Sequence, residues 1–262
     1  AAFCRGSDFQ EINWLLRAVE RYIFTIFTLS RRRVHTGDST FLNKAKEYLN
    51  HHIDTETLVN DLNNWVDLYF SANKFREYVA ENYEVGRQGF YHWDGIRYFL
   101  FEYEQSLKEK GKNSTGKLTW KEFTTRLEDH ITLEHIYPQT DTDPYWVSHF
   151  GHLNSQERTY LTHSLGNLLP LSRAKNSSLQ NDSFNLKKND GQGVGYYNGS
   201  VSENEVNTKD DWTPVEIQER GIALLKFMET RWLVELGDDA FKEKLLHVDF
   251  LNTDAKEPEA IV

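Results

Sequence analysis

Cysteine is nearly absent from this sequence, since Cys4 is the only one among 262 residues. A single thiol cannot form an internal disulfide, and it cannot supply the several thiolates of a structural zinc cluster. Such low cysteine usage is typical of a reducing compartment, so we expect a cytoplasmic protein. Any metal ion must therefore be held by histidine, carboxylate or amide side chains.

Long apolar runs are missing as well. The most apolar stretch, residues 14–29, is interrupted by Arg17, Glu20 and Arg21, whereas a membrane-spanning helix needs about eighteen or more apolar residues in succession. We therefore expect no membrane segment. Residues 1–5 (AAFCR) do not begin the basic and then apolar pattern of a secretory signal, so we expect no such signal.

An excess of basic residues is also lacking, because 30 lysines and arginines face 40 acidic residues and give a formal net charge of -10. Such a chain repels polyanions overall, so any phosphate contact must come from local basic patches. The triplet 31–33 (RRR) is more simply explained as a solvated surface. A second basic patch consists of Arg173, Lys175, Lys187 and Lys188, and it lies beside the motifs described below.

The sequence divides into two regions that differ in the spacing of their apolar residues. Apolar side chains in the first region recur at helical spacing, which predicts helices over residues 12–33, 41–49, 57–79 and 95–108. A polar segment with two glycines, 110–116 (KGKNSTG), is the best candidate linker. Beyond it, short apolar segments alternate with polar loops until Thr213 and Pro214 open a last long helix. We therefore predict an α-helical region over 1–110 and a second domain over 111–262.

Three short motifs in the second region predict a compact unit of two strands and a helix. They are 133–139 (LEHIYPQ), 166–171 (GNLLPL) and 172–176 (SRAKN). The first two are expected to be strands joined by a long loop. Ser172 is expected to cap a helix that carries Asn176 about one turn after its start.

This unit can bring four polar side chains together, namely those of Glu134, His135, Asn167 and Asn176. Glu134 and Asn176 offer the hard oxygen ligands that suit Mg²⁺ or Mn²⁺, and neutral His135 is suited to deprotonate a water near pH 7. Asn167 is expected to fix the loop that holds the histidine. Because neighbouring strand residues point to opposite faces, a local bend is needed for Glu134 and His135 to act together. The combination suits hydrolysis of a phosphodiester.

These motifs resemble those of the HNH nuclease superfamily, and more narrowly those of the C-terminal nuclease domain of GmrSD-type, modification-dependent restriction proteins. Two later segments add to the resemblance. The segment 184–188 (FNLKK) matches a Phe-x-x-Lys element, and 212–220 (WTPVEIQER) matches a Trp-Thr-x-x-x-Ile-x-x-Arg helix. The nuclease motifs cover residues 134–188, and the similarity continues to the region of Trp232.

The resemblance implies a mainly helical α+β protein with a ββα-metal (HNH) nuclease core embedded in helices. It implies that His135 is the general base, that Asn167 is the central asparagine of the catalytic motif, and that Glu134 and Asn176 bind the metal ion. Two positions depart from the commonest pattern. Asn176 replaces a histidine, which weakens the metal site slightly, and Glu134 stands where many members have aspartate.

The implied activity is that of a metal-dependent endonuclease that cuts or nicks DNA in a modification-sensing, anti-phage restriction system. The expected substrate is DNA, including modified phage DNA, and the second basic patch is expected to contact its phosphates. Related proteins combine the nuclease with a nucleotide-hydrolysing sensor domain, either N-terminal or on a partner subunit. This sequence has no Gly-rich phosphate-binding loop, so we expect that domain to lie outside it.

Two other interpretations remain open. A histidine beside a glutamate is commonly an ordinary surface pair, and a fold can outlast its activity. The chain could therefore be a catalytically silent module that binds DNA or docks a partner. Alternatively, it could be a ribonuclease or toxin, because a metal ion and a base do not distinguish the two sugars.

Overall fold

The computed structural model describes residues 1–33, 35–86, 88–111, 120, 132–189, 191 and 193–252. Contacts divide the chain into two compact units, one formed by Ala1–Tyr78 with Glu229–Glu235 and the other by Val79–Met228 with Leu236–Val262. The predicted linker at 110–116 falls mostly outside the described residues. The predicted domain boundary there therefore stays a prediction.

The first unit consists of helices, and aspartate side chains cap the starts of two of them. The helices are α1 (Ala2–Arg5), α2 (Phe9–Ile23), which continues as a π-helical segment (Phe24–Leu29), α3 (Asp38–Leu49), α4 (Thr55–Tyr69) and the first part of α5 (Ala72–Glu84). The side chains of Asp8 and Asp54 accept hydrogen bonds from backbone N–H groups in the first turns of α2 and α4, which satisfies donors that a helix start otherwise leaves unpaired. The helix predicted over 41–49 is confirmed as part of α3.

The single helix predicted over 57–79 is wrong, because the chain leaves the helical conformation at Phe70. Its ψ of 143° is extended. The next residue, Ser71, accepts a hydrogen bond at Oγ from the backbone N–H of Lys74 and donates its own N–H to Ser30 Oγ. Ser71 therefore acts as the N-cap of α5, and a serine in this position competes with helix continuation.

The second unit surrounds a two-stranded sheet with helices. In chain order, after the end of α5, the elements are α6 (Ile96–Lys110), β1 (Thr132–His135), α7 (Pro144–Phe150), α8 (Ser155–His163), β2 (Leu168–Leu171), α9 (Arg173–Leu179), α10 (Phe184–Lys188), α11 (Val201–Asn207), α12 (Pro214–Trp232) and α13 (Asp239–Leu246). Short 3₁₀ turns occur at Gly89–His92, Leu165–Asn167, Tyr196–Asn198 and Asp249–Asn252. Among the described residues, no helix combines the length and the apolar character required to cross a membrane.

Strands β1 and β2 are antiparallel, with Glu134 opposite Leu169 and His135 opposite Leu168. Every residue of β2 is buried, so the sheet lies inside the unit. Helix α9 follows β2 directly and packs against β1. The predicted fold class, a mainly helical α+β protein with a strand–strand–helix core, is therefore confirmed.

The glycine that precedes Asn167 is required by close packing. A Cβ atom at Gly166 would lie 1.9 Å from the carbonyl oxygen of Ile217 and 2.8 Å from the amide nitrogen of Gly221, both on α12. The carbonyl oxygen of Gly166 in turn accepts a 2.7 Å hydrogen bond from Arg220 Nη1. The Gly-Asn pair of the second motif therefore sits directly against α12.

Candidate functional site

Asn167 fixes the turn that follows β1. Its Oδ1 accepts hydrogen bonds from the backbone N–H of Tyr137 at 2.8 Å and from Trp212 Nε1 at 3.1 Å. Its Nδ2 donates to the carbonyl oxygens of Tyr137 and Thr162, both at 2.8 Å. The side chain is fully buried, and both atoms of its amide are used twice, so Asn167 acts on the backbone beside His135 rather than on a ligand.

The imidazole of His135 is held by side chains at both of its nitrogens. Nε2 lies 3.0 Å from Nδ1 of His163, at the end of α8, and Nδ1 lies 3.3 Å from Nε2 of Gln139. The ring of Tyr91 lies against the imidazole with 4.6 Å between ring centroids. His135 itself is only 6% exposed, whereas Gln139 is exposed, so the Nδ1 edge of the ring lies beside an exposed side chain and the Nε2 edge beside the buried His163.

Both histidines are neutral at pH 7. Burial, with smaller contributions from His163 and Lys187, lowers the pKa of His135 to about 3. Burial and the nearby His92 lower the pKa of His163 to about 4. A neutral imidazole can have only one of its two nitrogens protonated, so one nitrogen of His135 retains a lone pair that can accept a proton.

Glu134 has neighbours different from those of His135. Its Oε1 lies 2.6 Å from Lys187 Nζ and accepts a 3.2 Å hydrogen bond from the hydroxyl of Tyr196. Burial raises the pKa of the Glu134 carboxyl, while the Lys187 ammonium and the Tyr196 hydroxyl act in the opposite direction. The two adjacent side chains therefore have separate surroundings, as the alternation of a strand requires.

The prediction that Lys187 contacts DNA is wrong. The side chain is fully buried. Its Nζ donates to Glu134 Oε1 and to the backbone carbonyl oxygens of His135 and Ile136 at 3.1 and 3.0 Å. These three acceptors match the three N–H bonds of an ammonium group. Lys187 thus connects α10 to the end of β1 by buried hydrogen bonds, and its ammonium group is not accessible to a phosphate.

The other residues of the second basic patch differ in how many ion pairs and hydrogen bonds their side chains form within the protein. Lys175 forms an ion pair with Glu203 and donates to the carbonyl oxygen of Gly195 at 2.9 Å. Lys188 is partly buried and donates to the carbonyl oxygen of Lys209 at 2.6 Å. Arg173, at the start of α9, is exposed and makes no side-chain hydrogen bond or ion pair with another described residue.

Asn176 lies on α9, which Ser172 caps by accepting a hydrogen bond from the N–H of Lys175. This start and the position of Asn176 one turn later are as predicted. The oxygen of Glu134 that could bind a metal ion is Oε2. Within the described residues, Lys187 and Tyr196 both bind the other oxygen, Oε1. No group of three or more His, Cys, Asp or Glu side chains in the described ranges is arranged to hold a metal. One carboxylate with an amide still fits Mg²⁺, which keeps several waters and binds substrate phosphates.

His163 belongs to none of the sequence motifs described above. It ends a helix inside the long loop between the strands and approaches His135 across 28 residues of sequence. A local signal was present for the helix itself, because Asn154 and Glu157 form a reciprocal capping box at the start of α8. That signal predicts the helix, but the contact between the two rings depends on how the helix packs.

A variant pair tests the buried ion pair. Lys187→Met leaves the Glu134 carboxylate buried without its counter-charge, so we expect the free energy of unfolding to fall by about 3–5 kcal/mol. Lys188→Met is the matched control, and because Lys188 donates one described hydrogen bond at a partly exposed site, we expect a loss of about 1 kcal/mol. Urea unfolding of both variants measures the difference. Similar losses in the two proteins would contradict the internal role of Lys187.

A second prediction concerns the dependence of stability on pH. An unfolded histidine binds a proton near pH 6.5, whereas folded His135 and His163 stay neutral until far lower pH. Below pH 6.5 the unfolded chain therefore binds more protons than the folded protein. As the pH is lowered, the free energy of unfolding should fall by up to about 1.4 kcal/mol per pH unit for each histidine. Urea unfolding between pH 7 and pH 4.5 measures this slope. His163→Asn removes one of the two groups, and an unchanged slope in that variant would refute the assignment.

The sequence was also compared with known families, curated proteins and solved structures. No curated protein and no solved structure matches the chain. The family model described as GmrSD restriction endonucleases, C-terminal domain, matches residues 75–227, which is more than half of the 262 residues and includes β1, β2, α9 and α10. The chain therefore belongs to the family of GmrSD restriction endonuclease C-terminal domains.

Proposed function

We propose that the chain is the nuclease part of a restriction system and hydrolyses phosphodiester bonds in DNA, with His135 as the general base. The observation that carries the proposal is the arrangement of His135, a neutral imidazole held at both nitrogens at the end of β1, in a chain of this restriction endonuclease family. A general base must be proton-free and fixed in orientation before the reaction, and this ring meets both conditions.

In the proposed reaction, the imidazole takes a proton from a water molecule whose oxygen attacks the phosphorus atom. The P–O bond to the leaving oxygen breaks, and that oxygen acquires a proton from solvent. A pKa of about 3 makes His135 a weak base in the free protein. The negative charge of a bound phosphodiester stabilises the imidazolium, which raises this pKa toward the working pH.

The metal ion in this proposal is Mg²⁺ or Mn²⁺. Oε2 of Glu134 and the side-chain oxygen of Asn176 would hold it, since α9 packs against β1 and hard oxygen ligands suit these ions. When bound, the ion stabilises negative charge on the phosphate and on the leaving oxygen. The protein's own part is to present two oxygens on a short strand and a capped helix.

Contacts with the DNA backbone are proposed for Arg173, Lys175 and Lys188. Arg173 is the strongest candidate of the three, because its side chain is exposed in the first turn of the same helix that carries Asn176. With a net charge of -10, the remainder of the surface opposes binding, so we expect weak and poorly selective binding by this chain alone. Selection of modified phage DNA and control by a nucleotide-hydrolysing domain in the cytoplasm are proposals that follow from the family resemblance.

One observation favours a catalytically silent module instead. The carboxylate of Glu134 is already neutralised by the buried ammonium of Lys187, and a metal ion would have to bind next to that positive charge. A module of this kind would bind DNA or a partner protein without cutting. The two experiments below distinguish it from an active nuclease.

The first experiment compares His135→Ala with wild type on supercoiled plasmid in the presence of Mg²⁺. We expect the cleavage rate to fall by about 10²–10⁴-fold while DNA affinity stays within a few-fold, because a base acts in the chemical step and not in binding. The control is His152→Ala, which changes an exposed histidine just after the end of α7. It should cleave like wild type. Equal rates in all three proteins would remove His135 from the mechanism, and RNA offered under the same conditions tests for a ribonuclease.

The second experiment removes and restores the metal. Cleavage should stop in EDTA and return with Mg²⁺ or Mn²⁺, and Asn176→Ala should need a higher metal concentration to reach half of its maximal rate, because one ligand is lost. Asn185→Ala, an exposed asparagine of α10, is the matched control and should need the same concentration as wild type. Cleavage that persists in EDTA would exclude the metal-dependent scheme, and no cleavage with either ion would favour the silent module.

A further inference from the structure

The His135 ring and three other side chains form a continuous series of hydrogen bonds. Gln88 Nε2 lies 3.1 Å from Gln139 Oε1, Gln139 Nε2 lies 3.3 Å from His135 Nδ1, and His135 Nε2 lies 3.0 Å from His163 Nδ1. The series begins at half-buried Gln88 and exposed Gln139 and ends at a buried histidine, since His163 is 7% exposed. Every link joins side chains that are not adjacent in sequence.

The direction of each hydrogen bond in this series follows from the one before it. Gln88 donates from its amide nitrogen, so the oxygen of Gln139 is the acceptor and the nitrogen of Gln139 faces His135. An amide nitrogen can only donate, so Nδ1 of His135 must accept and therefore has no proton. A neutral imidazole then has its proton on Nε2, which donates to Nδ1 of His163.

We propose that His163 is a positioning residue for His135: it accepts the Nε2–H hydrogen bond and so keeps the proton-free nitrogen of His135 on the Gln139 side of the ring. The inference rests on the proposed function of His135 as the base. Nε2 is thereby directed to the buried side, and Nδ1 is the atom that takes the proton from water. The amide of Gln139 occupies the water's place until substrate binds.

Packing around the two rings supports this division. Tyr91 lies against His135 and also near His163, with 4.6 and 6.3 Å between ring centroids, so it limits rotation of the His135 ring. The two imidazoles meet nearly edge to face at an interplanar angle of 79°. His163 is itself fixed at the end of α8, next to the residue whose carbonyl oxygen Asn167 binds. The acceptor for Nε2–H is therefore held by the same asparagine that holds the turn after His135.

The first test measures the protonated nitrogen of His135 directly. Long-range ¹H–¹⁵N correlation spectra of histidine-labelled protein at pH 7.5, which lies above the ordinary pKa of histidine, distinguish the two neutral forms. The signals of His135 are those that disappear in His135→Ala. We expect His135 to have its proton on Nε2. A proton on Nδ1 would overturn the proposal, because it would require both glutamine amides to have the opposite orientation.

The second test uses two replacements of His163. Asn places an oxygen near the position of Nδ1 and can still accept the hydrogen bond, whereas Phe fills similar space without an acceptor. For plasmid cleavage we expect His163→Phe to lower kcat by about tenfold or more with KM within about twofold, and His163→Asn to recover most of that loss. Spectra of the Phe variant should also show a mixture of the two His135 forms. Wild-type kcat and a single Nε2–H form in the Phe variant would overturn the proposal.

The two tests separate this inference from the proposed function. If His135→Ala cleaves like wild type, the proposed base is wrong, and His163 then positions no base, which overturns the inference through its premise. If His135→Ala is inactive but wild type carries its proton on Nδ1, the proposed base stands and His163 is not its positioning residue. Should His163→Phe fail to fold, as judged by circular dichroism, the spectrum of the wild-type protein still decides.

Discussion

The carboxamide of Asn167 forms four described hydrogen bonds, which come from three separate parts of the chain. The backbone of Tyr137 supplies a donor and an acceptor, Thr162 supplies an acceptor at the end of α8, and Trp212 supplies a donor just before α12. Because the amide is fully buried, any partner that moved away would leave an unsatisfied polar group at a cost of about 1–3 kcal/mol. The positions of His135 and His163 both depend on this constraint, since each lies within two residues of a backbone group that Asn167 binds.

Charge in this protein acts locally, and the buried ammonium of Lys187 is the clearest case. The formal net charge of -10 determines the average electrostatic potential around the protein. Lys187, however, lies in the protein interior, with one carboxylate and two carbonyl oxygens as neighbours. The adjacent Lys188 lies at the surface of the same short helix. The two neighbouring lysines thus differ in burial and in partners: Lys187 holds the end of β1, whereas Lys188 donates to the carbonyl oxygen of Lys209 from a partly exposed position.

Features determined by local signals could be predicted from the sequence. Ser172 caps α9, and the helices predicted over 41–49 and 95–108 form within α3 and α6, where apolar spacing indicates them, because capping and periodicity act within a few residues. The burial of Lys187 and the contact between His135 and His163 could not be predicted, because they bring together residues 52 and 28 positions apart. The helix break at Phe70 belongs with these, since Ser30 supplies part of the hydrogen bonding that ends α4.

Adjacent residues on β1 have different tasks because a strand sends neighbouring side chains in opposite directions. Glu134 meets Lys187 and Tyr196 on one side, and His135 meets Gln139 and His163 on the other. Lys187 connects the two sides, because the same ammonium that pairs with Glu134 also binds the carbonyl oxygen of His135. Loss of the Glu134 carboxylate would therefore release the backbone that carries His135, the proposed base. Its effect on the proposed cleavage would include this displacement as well as the loss of a proposed metal ligand. A variant at Glu134 measures both effects together, whereas one at Asn176 leaves the described Lys187 contacts in place and therefore tests the proposed metal site separately.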